Sequence, residues 1–215
     1  MRWSLAIASA ITLGFASIAA DAKPLATTQY QYYSVNGNSA LEVYKSMLAR
    51  GPRVNGAKAY AATLAQASQG FLIQGQSCRA RDFRFKIDFL IKLPRMSNEQ
   101  RLPPLVRAKW QQFSAFVKKH EETHRAIWMG CVREFESRIA SLRPADCESI
   151  DADAARLWQK INLACDRKHQ AFDAAQQKLL VKHPFVRLVL GTTPAGSATV
   201  SIDGRGRAAA ALANH

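Results

Sequence analysis

The stretch Phe116–Cys131, FVKKHEETHRAIWMGC, sets two histidines four residues apart around two glutamates and then runs into apolar sequence. It belongs to a longer pattern that decides the architecture. From about Leu105 to Leu142, residues such as Trp110, Val117, His120, His124, Ile127 and Cys131 recur at spacings of three and four, along one stripe of a long helix. Pro144 and the RPADCES segment close that helix. A second long helix is expected from about Asp151 to Lys182, with Leu157, Ile161, Cys165, Phe172 and Leu179 on its buried face, and His183-Pro184 ends it.

Upstream the period changes. TQYQYYSVNG alternates partially and ends in a turn, which predicts a strand. In NSALEVYKSMLARGP, Ser39 can cap a helix that Gly51-Pro52 stop. AKAYAATLAQASQGFLIQ and SCRARDFRFKIDFLIKLPR predict two further strands; in the second, Phe83, Phe85, Ile87 and Phe89 alternate with charged residues until Pro94 and MSNEQRLPP break the pattern. The expected fold class is α+β: a small antiparallel sheet with one helix, followed by two long packed helices, the first carrying the two histidines.

The chain of 215 residues is long enough for one domain with a real core, and its 48% apolar and 21% charged content excludes global disorder. Thirty Lys+Arg against 16 Asp+Glu give a net charge of +14, which favours acidic partners such as anionic envelope components. The basic residues are spread without a dense block, which argues against nucleic acid as partner. Residues 1–22 read as a signal peptide: Arg2, an apolar run, and small residues Ala20 and Ala22 before the cut. Its removal leaves no stable membrane span, a domain over 23–190, and a small, polar tail at 191–215 expected to be disordered. An even set of cysteines, Cys78, Cys131, Cys147 and Cys165, agrees with a secreted or periplasmic location.

HEETH, His120 to His124, matches H-E-x-x-H. Positions i and i+4 put both imidazoles on one helix face, where both can reach a single Zn2+. Glu121 beside the first ligand can take a proton from water polarised by the metal, whereas Glu122 and Thr123 project elsewhere. A third ligand is required, and the second long helix offers Asn162, Asp166, His169 and Asp173 along one face. His169 and Asp173 stand ahead of Asp166, with Glu134, Glu136 and Glu148 as further alternatives.

The chain resembles a bacterial domain-of-unknown-function family described as predicted secreted zinc-dependent proteases. The resemblance is carried by YYSVNG, ARGP, AYAATLA, KIDFLIKLPR and KWQQFSAFVKKHEETH. It implies a zincin-like fold with one Zn2+, and it aligns Phe172-Asp173 of AFDAAQQKLL with the family's aromatic-Asp pair in the last helix. A Thr and a His-Gly that family members carry there are absent, which raises Asp173 and keeps His169 as a local substitute. The resemblance further implies that Cys78 pairs with Cys147, leaving Cys131 for Cys165.

The expected function is therefore an exported zinc metallohydrolase acting on a peptide or protein, with His120 and His124 as ligands, His169 or Asp173 completing the site, and Glu121 as general base. The alternative is a zinc-stabilised, non-catalytic envelope protein that binds anionic polymers through its basic surface.

Overall fold

The protein is described by a computed structural model over residues 25–54, 56–74, 79–144 and 146–191, and for 69–74 and 79–84 the backbone alone is described. The leader expected at 1–22 and the tail at 191–215, apart from Gly191, lie outside those residues.

The central strand is β5 (Arg79–Met96). Its alternation survives folding: Phe85, Ile87, Phe89, Ile91 and Leu93 are buried, while Lys86 between them is exposed. On one side it pairs with β4 (Ala62–Gln74), antiparallel, and on the other with β1 (Leu25–Val35), parallel. Ile91 thus has Tyr30 as its partner on one side and Thr63 on the other. The α+β class holds, and the sheet is mixed where an antiparallel one was expected. The cause is the connection after β1. Between the parallel strands β1 and β5 the chain passes through α1 (Ala40–Arg50), the short hairpin β2 (Arg53–Val54) and β3 (Ala57–Lys58), and β4, long enough to cross over. Alternation within a strand says nothing about the direction of its partner.

Local signals set most of the element ends. Ser39 Oγ accepts from the Glu42 amide at 3.3 Å and caps α1, as expected. Gly51 closes α1 where a Cβ would stand 2.3 Å from the Ala59 carbonyl oxygen, so only glycine fits this approach. Pro94 does not end β5, which runs on to Met96. β4 stops opposite Lys92, so residues beyond it have one neighbouring strand and a missing N–H is tolerated there.

The two long helices are α2 (Pro104–Ile139) and α3 (Ile150–Lys182). The α3 face differs from expectation in its last turns: Leu179 is exposed, Phe172 is half-buried, and His169 is buried. Pro184 stops α3 and also begins α4 (Pro184–Gly191), a helix the sequence pattern did not predict. It buries Phe185, Val186 and Val189.

Among the described residues two apolar clusters result. One joins β4, β5, the second half of α2 and α3 around Phe85, Trp128, Phe135 and Trp158. The other joins α1, the end of β5, the first half of α2 and α4 around Met47, Trp110, Phe113 and Phe185. Val117 belongs to the second and Trp128 to the first, so the H-E-x-x-H segment lies at the seam between them. The Cys131–Cys165 disulfide joins α2 to α3 with Cα atoms 6.0 Å apart, as the resemblance implies. Cys147 is also disulfide-bonded, and Cys78, its expected partner, lies outside the described residues. Among the described residues no helix is long and apolar enough to cross a membrane.

Candidate metal centre

Five consecutive positions in the middle of α2, His120 to His124, share out the chemistry. His124 is buried, with 5% of its side chain exposed, whereas His120 one turn earlier keeps 22%. Glu121 is buried beside them. Glu122 and Thr123 point away: the Tyr30 hydroxyl donates to Glu122 Oε1, and Thr123 Oγ1 donates to the Lys119 carbonyl.

Helix α3 brings Asp173 to the two histidines. His120 Nε2 and His124 Nε2 are 2.9 Å apart. Asp173 Oδ1 lies 2.9 Å from His124 Nε2 and 3.4 Å from His120 Nε2. Donors at about 2.0–2.1 Å from one ion in tetrahedral directions stand about 3.3 Å apart, so this triangle is close to the one a tetrahedral metal site requires. Asp173 Oδ1 is fully buried and has no hydrogen-bond partner despite these short contacts. A buried acceptor in that state is costly, and a cation satisfies it directly. His120, His124 and Asp173 form a group that could hold a metal ion.

The protonation states suit the same ligand. Burial, reinforced by the neighbouring His124, pushes His120 down to about 4, against the pull of Asp173. The imidazole is therefore neutral at neutral pH, the form in which a nitrogen lone pair can bind metal. Two imidazoles and one carboxylate leave a fourth position of a tetrahedral site without a protein donor, and His120 and Asp173 keep 22% and 13% of their side chains exposed.

Phe172, next to Asp173, walls both histidines. Its ring stacks on His120 at 4.9 Å and 27°, and meets His124 edge-on at 5.1 Å and 87°. Phe172 and Asp173, adjacent on α3, thus both meet the two histidines, one by ring contact and the other through its carboxylate.

His169, the other strong candidate on α3, lies elsewhere. Its Nδ1 is 2.8 Å from His124 Nδ1, on the side of that ring away from the cluster. Its Nε2 lies 3.8 Å from Cys165 Sγ. Burial first, then His124, pushes His169 down to about 4 as well. Asp166 is not in the metal group. Among the glutamate alternatives, Glu134 pairs with Arg138 and Lys168 on the surface, Glu148 is exposed, and Glu136 is outside the group.

Glu121 faces the sheet. Thr63 on β4 shares its hydroxyl proton between Glu121 Oε2 at 2.7 Å and the Glu121 carbonyl oxygen at 3.1 Å. Burial pushes the Glu121 carboxyl up to about 7, opposed by the Thr63 hydrogen bond and His124, and aided by the charge of Asp173. Sequence reasoning missed Thr63. One signal was present: it is a polar residue among small apolar ones in AYAATLA, and it is 3% exposed.

Fold and site together define an α+β protein with a His-His-Asp group, held between two disulfide-linked helices, that could bind metal. The chain belongs to a bacterial protein family of unknown function (DUF922), matched over residues 30–180. No curated protein and no solved structure matches the chain.

Proposed function

We propose that this protein is an exported metal-dependent hydrolase that holds one Zn2+ on His120, His124 and Asp173 and acts on a peptide or protein. The observation that carries the reading is the convergence of three donor atoms, 2.9–3.4 Å apart, with the buried Glu121 carboxyl next to them in the chain. Bound Zn2+ would supply Lewis-acid polarisation of a carbonyl and of water. His120 and His124 contribute Nε2 lone pairs, and Asp173 contributes a negative oxygen. Phe172 restricts both rings. Glu121 takes and returns the proton in this reading, with its rotation fixed by Thr63 at Oε2. The same donor set also serves Fe(II), and the H-E-x-x-H spacing is what favours zinc. Export is supported by the leader-like N-terminus and is compatible with the Cys131–Cys165 disulfide.

A second reading is favoured by the Thr63 contact, which gives Glu121 a role as a clamp between α2 and β4. The metal would then only stabilise the fold, and the +14 chain would bind anionic envelope polymers. Elemental analysis and hydrolysis of an unstructured protein by wild type and Glu121→Gln separate the two. The hydrolase reading expects stoichiometric zinc in both, with a rate in wild type that falls roughly 10²–10⁴-fold in Glu121→Gln. Stoichiometric metal without hydrolysis by wild type leaves the second reading, and absence of bound metal removes both.

A further inference from the structure

We propose that His169 is a positioning residue that fixes the tautomer and ring orientation of His124, and that it is not itself a ligand. The inference rests on the metal reading above and concerns what stands behind the metal group. An imidazole that gives its Nε2 lone pair to a metal carries its proton on Nδ1. For His124 that proton points at His169 Nδ1, 2.8 Å away. His169 must then accept at Nδ1 and carry its own proton on Nε2, which faces Cys165 Sγ, a weak acceptor, at 3.8 Å.

The surroundings hold His169 in that attitude. It is 3% exposed, so solvent does not compete for its nitrogens. The Trp128 ring lies 5.3 Å from it on α2, and the His124 ring lies 5.0 Å away at 30°. Cys165 sits one helical turn before it on α3 and is tied to Cys131 on α2. The acceptor that meets His124 is therefore built from both helices. A nitrogen set against His124 Nδ1 cannot also reach an ion bound at Nε2, which separates its role from that of Asp173 at the other edge of the ring. Ligating histidines generally hand their second N–H to such an acceptor, and loss of the acceptor costs roughly 10–100-fold in metal affinity.

The test uses the full mature chain. Zn2+ affinity is measured by competition with a chromophoric chelator for wild type, His169→Leu and His169→Asn, with Co2+ absorption as a report on ligand geometry. Nitrogen-15 shifts of the histidine rings are recorded on Zn2+-loaded wild type. We expect His169→Leu to lose roughly 10–100-fold in affinity with an altered Co2+ spectrum. His169→Asn, whose Oδ1 can accept the same proton, should recover most of both. The ring shifts should show His169 protonated at Nε2 and His124 at Nδ1. Equal affinity in wild type and His169→Leu overturns the proposal and leaves the metal site standing. So does a His169 ring protonated at Nδ1 in the loaded wild type, a readout that does not depend on any variant folding. Wild type that binds no Zn2+ overturns the proposal and the metal reading together.

Discussion

Cys131 and Cys165 fasten α2 to α3 with their Cα atoms 6.0 Å apart, and every donor of the metal group sits on one of those two helices. The crosslink closes a loop with a sequence separation of 34, which in the chain-entropy account stabilises the folded state by about 3–4 kcal/mol. It also limits how far His124 and Asp173 can drift apart. The Cys131→Ala/Cys165→Ala double variant should therefore lose stability on that order in urea unfolding. Its Zn2+ affinity should fall as well. An unchanged affinity in a folded double variant would show that packing alone holds the two ligand-bearing helices in register.

Thr63 is the contact through which the sheet reaches Glu121. Thr63→Val keeps the shape and removes the donor, leaving a buried carboxyl without that bond. A cost of roughly 1–3 kcal/mol is expected in urea unfolding, with Thr63→Ser recovering most of it. In the hydrolase reading the rate drops in Thr63→Val while Zn2+ content stays stoichiometric. A variant as stable as wild type would mean that the Glu121 carboxyl finds another partner at no cost.

The two helices and their histidines were legible because a 3.6-residue period puts His120 and His124 on one face, whatever packs against it. The assignment between His169 and Asp173 was not. They too are four residues apart on one face, and which of them meets Nε2 of His124 and which meets Nδ1 depends on where α3 crosses α2. Thr63 was out of reach for a related reason: its partner is 58 residues away, and strand alternation shows a face without naming what covers it. The parallel pairing of β1 and the short helix α4 are matters of how neighbouring elements pack, which periodicity within a segment does not record.

Metal-free protein should lose stability on acidification. His120 and His169 have folded pKa values near 4, below the ordinary 6.5, so the unfolded chain binds their protons first. Their contribution is present above about pH 6.5 and is lost as pH falls toward 4. Glu121 acts the other way, because its folded value near 7 exceeds the ordinary 4.5, and acidification from 7 to 4.5 favours the folded state. Two histidines against one carboxyl leave a net loss of about one proton over the shared range, or about 1.4 kcal/mol per pH unit. Urea midpoints of chelator-treated protein should fall between pH 6.5 and 4. The fall should flatten in His169→Asn. A midpoint that rises through this range would mean that Glu121 dominates the cluster.

Asp173→Asn should change sign with metal. In chelator-treated protein the substitution removes a buried negative oxygen that has no hydrogen-bond partner, so stability should stay level or rise. In Zn2+-loaded protein the same change removes a ligand, and affinity should fall by more than the roughly 10–100-fold expected for loss of an outer partner. Because a ligand that binds only the folded state stabilises it by mass action, the loaded variant should then unfold at a lower urea concentration than loaded wild type. Unfolding with and without saturating Zn2+ gives both comparisons on one pair of proteins. If Asp173→Asn destabilises the two forms equally, the carboxylate serves the fold through its histidine contacts and the metal takes its third ligand elsewhere.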